Sequence, residues 1–212
     1  ADGARVVVLS EYALSPVTRA VRPNRVLREA GLLSLREVRE REYLDPGACE
    51  AFAVADHQVA HVYCPAAGEG RQREKTVRRA REALGGTDGV AEVLGPAEQE
   101  PWGVRHRRSG DLVCVAQPDA WFAYPWWLDA ARAPDFAHTV DIHRKPGYDP
   151  LELFADPRTR AIPLDDSLVR GSHGICGPEA PNAALIVGRG GPEFDAGAAV
   201  PAERVLPVPL DR

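Results

Sequence analysis

The chain contains no methionine, and of its 26 basic residues only Lys75 and Lys145 are lysine. With 19 glycines and 19 prolines this is the usage of a GC-rich coding sequence, and it excludes no function. The four cysteines, Cys49, Cys64, Cys114 and Cys176, include no Cys-x-x-Cys pair. That removes the basis for a zinc ribbon or a disulfide framework, so reduced, mostly buried thiols and a cytoplasmic chain are expected. No apolar run approaches the roughly 20 residues that cross a bilayer, so no membrane partner is expected. A net charge of −5 leaves no basic footprint for nucleic acid. No basic segment, apolar segment and cleavage site follow one another, so no signal peptide is expected. Because Ala1 leads almost at once into an apolar strand pattern, the chain is expected to be a piece of a longer protein. Gly-x-Ser-x-Gly, Walker and Gly-x-Gly-x-x-Gly motifs are all missing.

The patterns that are there alternate between strand and helix. Residues 5–10, "RVVVLS", form a β-branched run that fits a strand covered on both faces, as in a parallel sheet flanked by helices. Pro23 and Asn24 open a short helix that carries Val26, Leu27 and Ala30 on one face and stops at Gly31. Residues 51–63 look extended. Over residues 71–84 the period becomes helical, with Val77, Ala80 and Leu84 on one face, Glu74 placed to pair with Arg78, and Gly85-Gly86 as the stop. Residues 89–94, 111–116 and 183–187 read as further strands. This alternation predicts an α/β class. The 212 residues are expected to form one domain, or the carboxy-terminal half of a larger one, with a cap-like insertion around residues 31–110.

Three settings could carry chemistry. Glu11 and Tyr12 follow the buried run at 5–10, and ligands of open α/β sheets gather beyond the carboxyl ends of strands. A carboxylate and a phenol there could hold a metal; they would serve equally as a turn cap and a packed ring. In "ADHQVAHVY", His57 and His61 are four apart, a spacing that shares a face in a helix and in a strand alike. That pattern fits a metal site of the His-x3-His type, and it fits a hydrogen-bonded structural pair as well. "RGSHG" sets His173 between Gly171 and Gly174, which presents the imidazole rather than packing it. "VDIHRKPGYDP" adds His143, Arg144 and Lys145, where the two cations suit an oxyanion, although an ordinary charged loop has the same composition.

Taken in order, these segments resemble the alkaline phosphatase superfamily, in particular its type I phosphodiesterase/nucleotide pyrophosphatase branch. Members place an Asp-His pair after a buried strand and a later Ser-His-Gly or Thr-His-Gly histidine. "VVVLSEYAL" is similar to the first segment and "LVRGSHG" to the second. Between them, "AFAVADHQVAHVY", "RSGDLVCVAQPDAWFAY" and "APDFAHTVDIHRKPGYDPLELF" resemble a bacterial group of the same branch. In this chain Glu11-Tyr12 stands where the family has Asp-His.

The resemblance implies the carboxy-terminal part of an alkaline-phosphatase-like sandwich, with a mostly parallel central sheet flanked by helices. It implies a divalent metal (zinc or manganese, with iron a third choice) held by Glu11, Tyr12 and His173. His57, His61, His143, Arg144 and Lys145 fall on the substrate side. It implies a small phosphoester substrate and, as partner, an amino-terminal half that carries the nucleophile. No residue of this chain is assigned the nucleophile's role. The competing expectation is a non-catalytic binding or scaffold protein that retains the fold, which Tyr12 in place of histidine favours.

Overall fold

The computed structural model describes residues 6–8, 12–139, 156–175 and 187–189, which fall in two units. Ala1–Leu14 and Ala180–Arg212 make the first, and Ser15–Glu179 the second. In the first unit lies strand β1 (Val6–Val8). The second opens with β2 (Ser15–Pro16), β3 (Arg19–Val21) and helix α1 (Pro23–Glu29). It continues with β4 (Leu35–Val38), β5 (Arg41–Leu44), β6 (Phe52–Asp56), β7 (Val59–Tyr63) and helix α2 (Arg71–Gly85). Next come β8 (Val90–Leu94), the short helix α3 (Pro96–Gln99), β9 (Leu112–Ala116), β10 (Ala120–Phe122) and β11 (Gly171–Ser172). Strand β12 (Val187–Arg189) returns to the first unit.

A mixed α/β fold is what the alternating pattern predicts. The two predicted helices and the strands expected over residues 89–94 and 111–116 form close to where the sequence places them. Residues 51–63, expected to be extended, instead fold into a hairpin that turns at His57-Gln58. Pro23 occupies the first turn of α1, where its missing N–H is not needed. On α2, Thr76, Ala80 and Leu84 are buried and Val77 packs beside them. Arg78 reaches forward to Glu82 at 3.9 Å rather than back to Glu74.

The expected mostly parallel sheet is not what forms. The largest sheet has the order β6-β7-β9-β8, and every pairing in it is antiparallel. β7 and β8 do run in the same direction, joined through α2, but β9 inserts between them in the manner of a split βαβ unit. β1, expected at the centre of a parallel sheet, pairs antiparallel with β12. Among the described residues only β3 and β10 pair in parallel. A β-branched run reports burial of a strand and carries no information about the direction of its neighbour.

The sheet has two covered faces. On one, Ala53, Ala60, Val62, Cys114 and Ala116 pack with Leu27 of α1 and Ala80 and Leu84 of α2. On the other, Leu94, Val113 and Val115 lie under Trp102 and Val104. The aromatic stretch after β10 fills a separate core: Trp126 and Trp127 are buried with Ala133 and Ala137, against Leu35 and Leu44 of the β4–β5 hairpin. Each fully buried side chain of this size contributes about 2–3 kcal/mol of transfer free energy. Arg28 of α1 binds Glu42 of β5 at 2.6 Å, tying the hairpin to the helix. Among the described residues no helix is long and apolar enough to cross a membrane.

Candidate functional site

The register Asp56↔Val59 leaves His57 and Gln58 as the two-residue loop between β6 and β7. His57 has φ 57°, a left-handed conformation in which histidine is over-represented among non-glycine residues. This tight loop is fixed from three sides. Phe122 N–H donates to the His57 carbonyl at 2.6 Å, and Ala116 N–H donates to the Gln58 carbonyl at 2.9 Å. Gln58 N–H donates to the His173 carbonyl at 2.9 Å, so the turn itself carries the "RGSHG" segment.

The two imidazoles meet there. The His57 and His173 ring centroids are 3.9 Å apart, with the planes tilted by 37°. Gly174, at φ +102°, passes close to the loop: a Cβ there would lie 3.5 Å from Gln58 N and 3.7 Å from the Asp56 carbonyl. Its flanking partner Gly171 needs no such freedom, because it lies in β11, paired with Pro16. His57 Nε2 is 3.9 Å from Asp56 Oδ1, too far for the hydrogen bond that would set its tautomer.

Next to each of these histidines in the chain is a buried polar residue that sequence reading missed, Gln58 after His57 and Ser172 before His173. Gln58 is wholly buried, donating from Nε2 to the carbonyls of Ala120 at 3.0 Å and Pro118 at 3.3 Å. Its Oε1 and the buried Ser172 Oγ have no partner among the described residues. The only signal for Gln58 was its position between two histidines. The approach to His173 is braced in turn. Arg22, just before α1, is ion-paired with Asp166. Asp165 accepts from Ser167 N–H at 3.0 Å, and that residue's hydroxyl and amide hold the Asp165 carboxyl below its usual range.

His61 does not join His57. The even-spacing rule holds within one strand, and the loop at 57–58 interrupts it. His61 sits on β7, where its Nδ1 accepts from Gly110 N–H at 3.1 Å and burial pushes its pKa down. Tyr12 is 46% exposed and belongs to the other unit. Glu11, His143, Arg144 and Lys145 lie outside the described residues. Among the described residues no cluster of three or more His, Cys, Asp or Glu side chains is placed to hold a metal. His57 and His173 supply two nitrogens at most, and a catalytic zinc ordinarily takes three protein ligands. Cys49, Cys64 and Cys114 are free and buried, as expected.

Residues 1–149 match the family described as type I phosphodiesterase / nucleotide pyrophosphatase. The chain belongs to this family. The match takes in Glu11, Tyr12, His57 and His61 and ends before His173. No curated protein matches the chain. Two solved structures of phosphonoacetate hydrolase from Sinorhizobium meliloti 1021 are similar to part of it. The one in complex with phosphonoformate has 19% identity over 62% of this chain and 30% of that chain, with a TM-score of 0.37. The one in complex with phosphonoacetate has 19% identity over 58% of this chain and 29% of that chain, with a TM-score of 0.35. The chain thus spans about 30% of the length of that hydrolase.

Proposed function

We propose that this chain supplies the carboxy-terminal, metal-site half of a metal-dependent phosphoester hydrolase acting on small phosphodiesters or nucleotide pyrophosphates. The family match over residues 1–149 carries this reading. The presentation of His173 on a braced turn against His57 supports it. In this reading the His173 imidazole and the Glu11 carboxylate are metal ligands, with the Tyr12 phenol as a third. The remaining ligands and the nucleophile come from an amino-terminal half. A divalent metal, zinc or manganese, would supply Lewis-acid stabilisation of the phosphoryl oxygens when bound. The chain's own residues do the rest. Gln58 N–H holds the His173 backbone, the His57 ring limits how His173 can turn, and Arg144 and Lys145, with His143, bind the phosphoryl group.

A nucleophile beside a metal or base is required for covalent displacement at phosphorus, and no residue of this chain is assigned that role. The chain alone is therefore expected to leave bis(p-nitrophenyl) phosphate intact with zinc or manganese. Mixed with an amino-terminal segment bearing a Thr or Ser nucleophile, it is expected to give metal-dependent turnover that His173→Ala abolishes. A mixture that forms a stable complex, yet neither binds metal nor turns over, would establish the scaffold reading instead. Tyr12 in place of histidine is the feature that favours that second reading.

A further inference from the structure

On the face of the main sheet that carries Val113 and Val115, β7 presents His61 and Tyr63 toward the segment before β9. His61, Tyr63, His106, Arg108 and Ser109 line an open cavity of about 430 Å³ there. Its polar lining is fixed by main-chain contacts. Gly110 N–H donates to His61 Nδ1 at 3.1 Å, and Arg108 N–H donates to His106 Nδ1 at 3.2 Å. A backbone N–H can only donate, so in both rings Nδ1 is the bare acceptor and the proton sits on Nε2.

The contact to His61 is built in by a close approach. A Cβ on Gly110 would lie 2.6 Å from both Val62 N and Val62 O, so only glycine brings that N–H to the ring. Tyr63 O–H donates to the Arg108 carbonyl at 3.0 Å, and Ser109 O–H donates to the Val104 carbonyl at 2.7 Å. These contacts brace the loop and use up both hydroxyl protons. Among the described residues no partner engages His61 Nε2, His106 Nε2 or the Arg108 guanidinium. No carboxylate lines the cavity.

We propose that this cavity binds an oxyanion, the phosphate or carboxylate group of a small ligand, through His61 Nε2–H, His106 Nε2–H and the Arg108 guanidinium. Two ring N–H donors and a permanent cation line one cavity that has no carboxylate among its lining residues, and these are donors that suit an oxyanion. The same geometry disfavours a metal. Ligation through Nε2 would move each ring proton to Nδ1, against a backbone N–H, and would set a cation beside Arg108. This site does not rest on the hydrolase reading and involves no residue of the His57–His173 cluster.

Histidine nitrogen NMR of the full chain, titrated with inorganic phosphate and separately with acetate at constant ionic strength and without metal, tests it. The expected result is the Nε2–H tautomer for His61 and His106, with saturable shifts at both. Arg108→Ala should weaken phosphate binding at least about tenfold, as loss of a charge-assisted donor pair does. Arg78→Ala, on the exposed side of α2, should leave it unchanged. Shifts with both anions identify a general oxyanion site, and shifts with phosphate alone identify a phosphate site. Either ring in the Nδ1–H tautomer, no saturable shift with either anion, or an Arg108→Ala chain that binds phosphate as before would overturn the proposal. Turnover and metal binding at His173 are read separately, so neither proposal's failure is mistaken for the other's.

Discussion

Burial decides how His61 responds to acid. Gly110 donates to its Nδ1, and burial holds the ring's pKa below the ordinary imidazole value of 6.5. Asp56 pulls weakly the other way. As pH falls, the unfolded chain takes up its proton first, near 6.5, while the folded ring stays neutral. Stability from His61 is therefore fully present above 6.5 and is lost as pH falls through the lowered folded value. Comparison of urea midpoints for the native chain and His61→Asn, which does not titrate, checks this. The gap between them should narrow steadily below pH 6.5. A gap that widens toward acid would mean the folded ring prefers its charged form.

At the scale of elements, the β6–β7 hairpin places His57 against the His173 ring. Its loop needs a left-handed residue at position 57, where φ is 57°. Asparagine tolerates that conformation and a β-branched residue does not. His57→Asn and His57→Val both remove the ring that contacts His173, so their difference isolates the backbone. We expect His57→Val to be less stable than His57→Asn by about 1–2 kcal/mol in denaturant unfolding. Equal stabilities would mean that the hairpin can close in another turn geometry. The effect should spread beyond the hairpin, because Phe122 N–H, Ala116 N–H and the His173 carbonyl all bond to residues 57 and 58.

For the second unit as a whole, three thiols report whether it opens as one. Cys49, Cys64 and Cys114 are each at most 1% exposed. Burial pushes Cys64 and Cys114 up to about 12, and Cys49 above its usual value. The thiolate is the reactive form, so none of the three should react in the native state. Maleimide labelling at pH 8 with peptide mapping should find all three modified only as the unit opens, at a common rate. Rapid native labelling of Cys49 alone, beside the β4–β5 hairpin, would show that this edge opens independently of the sheet.

The sequence by itself determined the local conformations: both main helices with their stops at Gly31 and Gly85-Gly86, the strand patterns over residues 89–94 and 111–116, and the burial of the thiols. Periodicity and turn residues report burial and dihedral preference, and these are properties of a short stretch. The segments that carry the family resemblance were legible in the same way, since a motif is local. Only the tertiary structure decided that β9 inserts between β7 and β8, turning an expected parallel sheet antiparallel. It also divided His57 from His61, giving one to His173 and the other to Gly110. It buried Gln58, whose partners stand 60 and 62 residues away. Each of these depends on which distant segment arrives beside a given strand, and local patterns do not encode that choice.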